Sequence, residues 1–410
     1  MKFILLISIF FSVCSQISLA DDVQVNTIGV ILPLTGKQAN VAQRTLRGIQ
    51  IGIGLQNSQS QFKLAIVDSE GSPDKARRAV DSLVQKDKVI AIIGSIASKE
   101  SNAIAVRANE LGVPNISLAQ KSGLTEVGPF IFKNSVTAEM QVRELVRVMM
   151  QEQNAHKFAI MYPNDSYGVE YANLFWDEVL ARGGEIVAAQ IYSTKEKEFK
   201  GPVQRLFGNF YGEARLDELR QRQKILVNND DPNKTKKKSI RETNIENFLP
   251  PILDFDAVFI PDTTKVMGQI AAMMAYQDAR NITLLGTNLW NNVDVIRRVN
   301  NANYRAFFVD GISPSATANF LTEYKDEFNE SAGLLETQAY DSALMIKQLI
   351  LSGVDNREEL QEKLVSKSLF QGALGPLLIT PDRETQRPMT VLTIESGSII
   401  PVSQMGNKKE

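Results

Sequence analysis

Along the chain, short runs of β-branched and aromatic residues alternate with stretches in which apolar side chains recur every three or four positions. The first pattern is that of buried strands and the second that of amphipathic helices. Strands are predicted at 27–34, 62–68, 89–95 and 114–119, and after a gap at 157–163, 185–192, 255–261, 282–287 and 305–311. Helices are predicted between them at 41–55, 74–86, 98–111, 138–151 and 168–182, and beyond them at 317–329, 337–351 and 356–366. Uninterrupted apolar strands separated by helices mean parallel sheets covered on both faces. Because the pattern runs through two sets, the predicted fold class is α/β, with two doubly wound parallel-sheet lobes.

The segment 130–141 lies between the two sets and is the natural crossover, while the tail, 375–402, reads as a pair of hairpins. The expected division is 21–134 with 312–371 for lobe I, and 135–311 with 372–405 for lobe II. One stretch breaks the pattern: 212–251 is polar and carries a Lys cluster at Lys236, Lys237 and Lys238. It reads as an insertion in lobe II, either a solvated loop or a docking surface.

The start of the chain changes the picture. A basic Lys2, an apolar run from Phe3 to Val13 and a small-x-small signal at 18–20 form an export peptide, expected to be cleaved after Ala20. The sole cysteine, Cys14, lies inside it, and the competing reading is lipidation at Cys14, against which stands the bulky Val13 before it. Cleavage after Ala20 leaves a chain with no thiol, hence no disulfide, as suits a bacterial periplasm. It also leaves 44 basic against 47 acidic residues, a net charge of −3, which gives no reason to expect a nucleic-acid partner.

Candidate chemistry is sparse. The loop GSIASKES at 94–101 lacks the spacing of a nucleotide-binding loop, and neither a dinucleotide fingerprint nor a nucleophile elbow is found. His156 is the single histidine, which argues against a zinc cluster or a Ser–His triad. No catalytic residue, metal ligand or cofactor is predicted. In a doubly wound fold, ligands sit at the carboxyl ends of the strands. Here those ends are rich in hydroxyls, amides and small residues, at 32–36, 94–98, 117–122, 163–168, 261–264 and 286–291. Ser98 reads as a helix N-cap whose hydroxyl serves either its own helix or a ligand carboxylate. Tyr167 either covers a ligand or packs in the core, and Trp290 either lines the cleft or caps the sheet edge. Trp176, mid-helix beside Phe175, is assigned to the core.

With these elements placed, IGVILPLTG, VDSEGSPDKARRAVDSLV, VIAIIGSIASKES, GVPNISLAQKSGLT, YPNDSYGVEYANLFWDEVLARGGEIV and LLGTNLW, in this order, resemble the leucine-binding family of type I periplasmic solute-binding proteins. The resemblance spans nearly the whole chain after the export peptide. It implies two lobes joined by a three-strand hinge, here near Lys133, Asn134 and Ser135, near Gly311, Ile312 and Ser313, and near Gln371 and Gly372. It implies a ligand carboxylate held by Ser98, Ala119 and Lys121, with Tyr167, Thr263 and Asn288 closing from the second lobe. Two positions depart from the family. Asn288 replaces the acid that commonly takes an α-ammonium, and Lys121 replaces a small Thr. Both departures argue against a zwitterionic branched-chain amino acid.

A closer resemblance, in FKGPVQRLFGNFYGEARLDEL and the segment 249–291, is to the subgroup labelled penicillin-binding protein activators. Two functions follow as expectations. The first is a periplasmic, monomeric binding protein that captures a small polar or acidic solute by hinge closure and delivers it to an ABC permease. The second is a scaffold that activates a peptidoglycan synthase. An enzyme and a eukaryotic receptor domain with sequons at NIS, NIT and NES are the remaining readings.

Overall fold

The computed structural model describes residues 24–57, 59–195, 197–218, 220–221, 249–302, 304–312, 319–367 and 369–405. The expected export peptide, Ser313 and most of the polar stretch at 212–251, its Lys cluster included, lie outside the described residues.

Lobe I is built on five parallel strands, β1 (Gln24–Leu32), β2 (Lys63–Asp68), β3 (Val89–Gly94), β4 (Asn115–Ser117) and β5 (Ile131–Lys133), in the order β2-β1-β3-β4-β5. The helices α1 (Ala39–Ile53), α2 (Pro73–Gln85) and α3 (Ser98–Glu110) connect them. All six residues of β3 are buried, as a central strand covered on both faces requires. Its side chains divide between two cores: Ile90 and Ile93 face one way, Val89 and Ile92 the other.

The chain crosses to lobe II through α4 (Ala138–Gln151) and lays down β6 (Lys157–Pro163), α5 (Ser166–Ala181), β7 (Glu185–Tyr192), α6 (Lys200–Leu206) and β8 (Ala257–Phe259). It continues with α7 (Thr264–Tyr276), β9 (Thr283–Gly286), α8 (Asp294–Ala302) and β10 (Arg305–Asp310). Three helices then return to lobe I: α9 (Asn319–Phe328), α10 (Leu334–Leu351) and α11 (Arg357–Lys367). Of these, α10 packs along α1 and contributes Ala339, Ala343 and Ile346 to the lobe I core.

The end of the chain departs from the expected division. β11 (Leu369–Gly372), β12 (Gly375–Ile379) and β13 (Thr385–Gln386) form a small antiparallel sheet. Its Phe370, Leu377 and Ile379 are buried in the lobe I core. Gln371 and Gly372 are therefore strand residues of lobe I, and the third crossing falls at residues 387–389. Only β14 (Thr390–Glu395) and β15 (Ser398–Pro401) join the lobe II sheet, antiparallel, in the order β15-β14-β10-β9-β8-β6-β7. The expectation places the whole hairpin pair in lobe II, but burial of Phe370, Leu377 and Ile379 holds the first half of the tail to lobe I.

Polar side chains tie the crossings together. The Asn134 carboxamide accepts from Thr385 Oγ1 (2.9 Å) and Arg387 Nη2 (2.8 Å), and donates to the Gln338 carbonyl and Ser342 Oγ (both 2.9 Å). Arg387 also pairs with Asp341 at 3.1 Å, both side chains being almost wholly buried. Lys133, 2% exposed, reaches Glu384 at 2.6 Å. At the second crossing, Asn291 Nδ2 donates to Asp310 Oδ2 (2.8 Å) and the Ile312 carbonyl (3.0 Å). Burial pushes the Asp310 carboxyl up to about 6, more than its hydrogen bonds to Asn291 and the Ile312 and Gly311 amides pull it down.

Trp176 is 39% exposed, whereas its neighbour Phe175 is fully buried. Successive helical residues are rotated by about 100°, so adjacent aromatics cannot share one face.

Asn134→Leu is expected to lower unfolding stability by about 3 kcal/mol or more, because it takes the acceptor from two buried donors, Thr385 Oγ1 and Arg387 Nη2; urea denaturation checks this. For Asp310 the folded state binds the proton more tightly than the unfolded chain, so its contribution is present below about pH 4 and lost as pH rises through about 6, up to about 3 kcal/mol in all. Asp310→Asn should flatten the stability profile between those limits, as followed by denaturation at successive pH values.

Candidate functional site

The carboxyl end of β3 is shaped by Gly94, whose φ is +132° and where a Cβ would lie 2.1 Å from the Ile31 carbonyl oxygen. The following residue turns inward. Ser95 is fully buried; its hydroxyl donates to Glu100 Oε2 (2.7 Å), and its carbonyl accepts from Ser101 Oγ (3.0 Å). With these polar groups used internally, Ile96 and Ser98 are left facing the gap between the lobes. The N-cap of α3 is Ala97, so Ser98 is the first helical residue and not the cap that the sequence suggested.

A cavity of about 320 Å³ lies where the lobes meet. Lobe I supplies Ile96 and Ser98 from the start of α3, Leu118 and Gln120 from the loop after β4, and Leu334, Leu335 and Gln338 from the first turns of α10. Lobe II supplies Asn288. Nearby, Ser122 Oγ donates to Glu170 Oε1 at 3.4 Å, a direct polar contact from lobe I to α5 of lobe II.

Asn288 is held in place by its backbone. Its N–H donates to Gln141 Oε1 (3.0 Å), and Gln141 Nε2 donates to the Tyr171 hydroxyl (2.6 Å). Beneath it, Trp290 is fully buried in the lobe II core, where its Nε1 donates to the Asp262 carbonyl at 2.8 Å. A Cβ on Gly286 would meet the indole at 2.1 Å, so this glycine makes room for the ring. Trp290 therefore supports the turn from below and does not line the cleft.

Two of the six expected contact residues, Ser98 and Asn288, come together on the cavity wall from opposite lobes. The other four lie off that wall. Ala119 is buried, with its N–H donating to Ser117 Oγ at 3.3 Å. Lys121 is half-buried, and its carbonyl accepts from Lys133 Nζ at 3.4 Å. Thr263 is exposed and caps α7 by accepting from the Val266 N–H. Tyr167 lies against Tyr171, ring centres 4.4 Å apart, and its hydroxyl is 2.9 Å from Thr287 Oγ1. Burial raises the Tyr167 phenol to about 12, outweighing that hydrogen bond.

Gln120 could have been read from the loop SLAQKS, since it sits between two residues already singled out. Leu334, Leu335 and Gln338 carry no such signal, because leucines at a helix start look like core.

A larger cavity of about 490 Å³ opens beside the first and third crossings. Its charges are largely used within the protein: Glu139 pairs with Arg143, Glu384 with Lys133, and Arg383 Nη2 donates to the Thr125 carbonyl. Among the described residues no group of side chains could hold a metal ion, and no helix is long and apolar enough to cross a membrane. His156 is exposed just before β6, away from any such cluster.

Residues 26–207 match the model of a family described as periplasmic binding protein. No curated protein matched the chain. Among solved structures, a putative branched-chain amino acid ABC transporter from Rhodospirillum rubrum superposes with a TM-score of 0.72 at 16% identity, covering 92% of this chain and 99% of that one. The leucine-binding protein LivK of Thermotoga maritima gives 0.61 at 20% identity, covering 92% and 97%. A solute-binding protein of an ABC transporter from Rhodopseudomonas palustris, in complex with 3,4-dihydroxybenzoic acid, gives 0.63 at 19% identity, covering 92% and 95%. These matches support the broad family and do not extend to the penicillin-binding protein activator subgroup.

Tyr167→Phe is expected to cost about 1 kcal/mol of stability, the worth of one neutral hydrogen bond, when compared with the parent by urea denaturation. Residues 26–207 thus match the periplasmic binding protein family, and the chain as a whole shares the fold of the solved leucine-binding protein LivK.

Proposed function

We propose that this chain is an exported binding protein that captures a small molecule between its lobes and presents it to an ABC-type permease in the periplasm. The observation that carries this reading is the shared cavity: Ser98 of lobe I and Asn288 of lobe II line the same space. A ligand seated there would touch both lobes and stabilise their closed arrangement, which a membrane partner could recognise. Relatives of the same fold support it, since the Streptococcus pneumoniae LivJ was solved with isoleucine and the Rhodopseudomonas palustris protein with a benzoic acid.

Within this reading, the ligand is better matched to an amide or related neutral molecule than to an amino acid. An α-ammonium seeks a carboxylate, and the residue facing the cavity from lobe II is Asn288. The comparisons do not favour the alternative, a synthase activator, and the insertion on which such a contact would depend falls largely outside the described residues.

The test is mass spectrometry of small molecules released when the purified protein is denatured, combined with thermal-shift screening. A ligand at a hundredfold excess over its Kd should stabilise the fold by about 2.7 kcal/mol. Ser98→Trp, at an exposed position on the cavity wall, should abolish both the released molecule and the shift. A parent protein that releases nothing and whose Tm stays fixed across amino acids, amides and small acids would overturn the reading.

A further inference from the structure

Gln338 lies in the second turn of α10, is 4% exposed, and lines the cavity between the lobes. Its backbone carbonyl is fully used, accepting from Asn134 Nδ2 (2.9 Å) and Ser342 Oγ (2.8 Å). Its side-chain nitrogen Nε2 is buried and has no hydrogen-bond partner among the described residues. A buried donor left unpaired is unfavourable, and an acceptor brought by a ligand would remove the penalty.

The walls around this donor limit what that ligand can be. Among the described residues no Asp, Glu, Lys, Arg or His lines the cavity, whose polar members are Ser98, Gln120, Asn288 and Gln338 and whose remaining members are Leu and Ile. Two helix N-termini open onto it, those of α3 and α10, and such ends ordinarily favour an anion. Here each already carries a buried carboxylate in its first turn. Glu100, 1% exposed, accepts from Ser95. Glu336, 5% exposed, accepts from the Gly333 N–H at 2.9 Å and pairs with Arg44 at 2.8 Å. The positive helix ends are thus offset from within, and a charged ligand group of either sign would be desolvated without a counter-charge on the wall.

Resting on the capture reading above, we infer that Gln338 is a ligand-binding residue and that the ligand is an uncharged molecule bearing a carbonyl-type oxygen on a compact apolar body, such as a primary amide. The oxygen accepts from Gln338 Nε2, and the apolar body packs on Leu118, Leu334 and Leu335. Because the Gln338 carbonyl is anchored by Asn134, the ligand is read at a residue tied directly to the crossings.

Three probes sharing one carbon skeleton test the inference: 4-methylpentanamide, 4-methylpentanoate and L-leucine, titrated calorimetrically into the full protein. The wild type should bind the amide most tightly. Gln338→Leu, which removes the donor, and Gln338→Glu, which keeps the length but presents acceptors only, should each weaken amide binding about tenfold or more, the scale set by one buried hydrogen bond. Unliganded Tm values establish whether each variant folds; should neither fold, the wild-type order of the three probes decides. A preference for the carboxylate or for leucine, no binding of any probe, or undiminished amide binding by a folded variant would overturn the inference. The capture reading would survive any of these results if the purified wild type still releases a small molecule on denaturation.

Discussion

One carboxamide sets the relation between the two halves of the molecule. Asn134 lies where the chain first leaves lobe I, and its side chain is fully satisfied by Thr385 and Arg387 of the returning strand and by Gln338 and Ser342 of α10. An amide that both accepts and donates twice can join three segments that no backbone ladder connects. Beside it, the Arg387–Asp341 pair buries two opposite charges, an arrangement costly to break by removing one partner because the other would remain charged and dry. The first and third crossings are therefore anchored in lobe I almost to the point where they leave it.

The cleft inherits its character from this anchoring. Fixing α10 against the crossings brings its first turns beside the loop ends of β3 and β4, so that three separate segments of lobe I face one turn of lobe II. The inward-facing hydroxyls and carboxylates near those ends are consumed by the protein itself: Ser95 by Glu100, Glu336 by Gly333 and Arg44. What remains towards the gap is neutral, partly amide and partly aliphatic. A strand-end loop rich in Ser and Gly thus proves to be mainly a turn that satisfies its own groups while presenting Ser98.

The doubly wound architecture was legible in the sequence because central parallel strands are apolar on every residue, as in β3, and the helices between them keep a 3.6-residue period. The limits of 157–163, 185–192 and 138–151 agree with the structure to the residue. Less of the site was legible. Ser98 and Asn288 lie at strand ends and could be found by topology alone, but Gln338 reaches the cavity only through tertiary packing of a helix that lies beyond all the parallel strands of both lobes in the chain. Nothing local distinguishes its amide from that of any helical Gln. The third crossing was misplaced for a similar reason: whether a hairpin belongs to one lobe or the other depends on which core its Phe370, Leu377 and Ile379 enter, and apolar residues do not name their core. The settings of Trp176 and Trp290 are not legible in the sequence because an indole is large enough to be stable half-exposed, as Trp176 is, or wholly enclosed, as Trp290 is.

Those two tryptophans give the molecule an optical asymmetry. Trp176 meets solvent on the outer face of α5, whereas Trp290 is sealed in an apolar interior directly below the turn that carries Asn288. Their emission should differ in wavelength and in access to a dissolved quencher, so the shielded component forms a built-in spectroscopic gauge seated under the floor of the cleft.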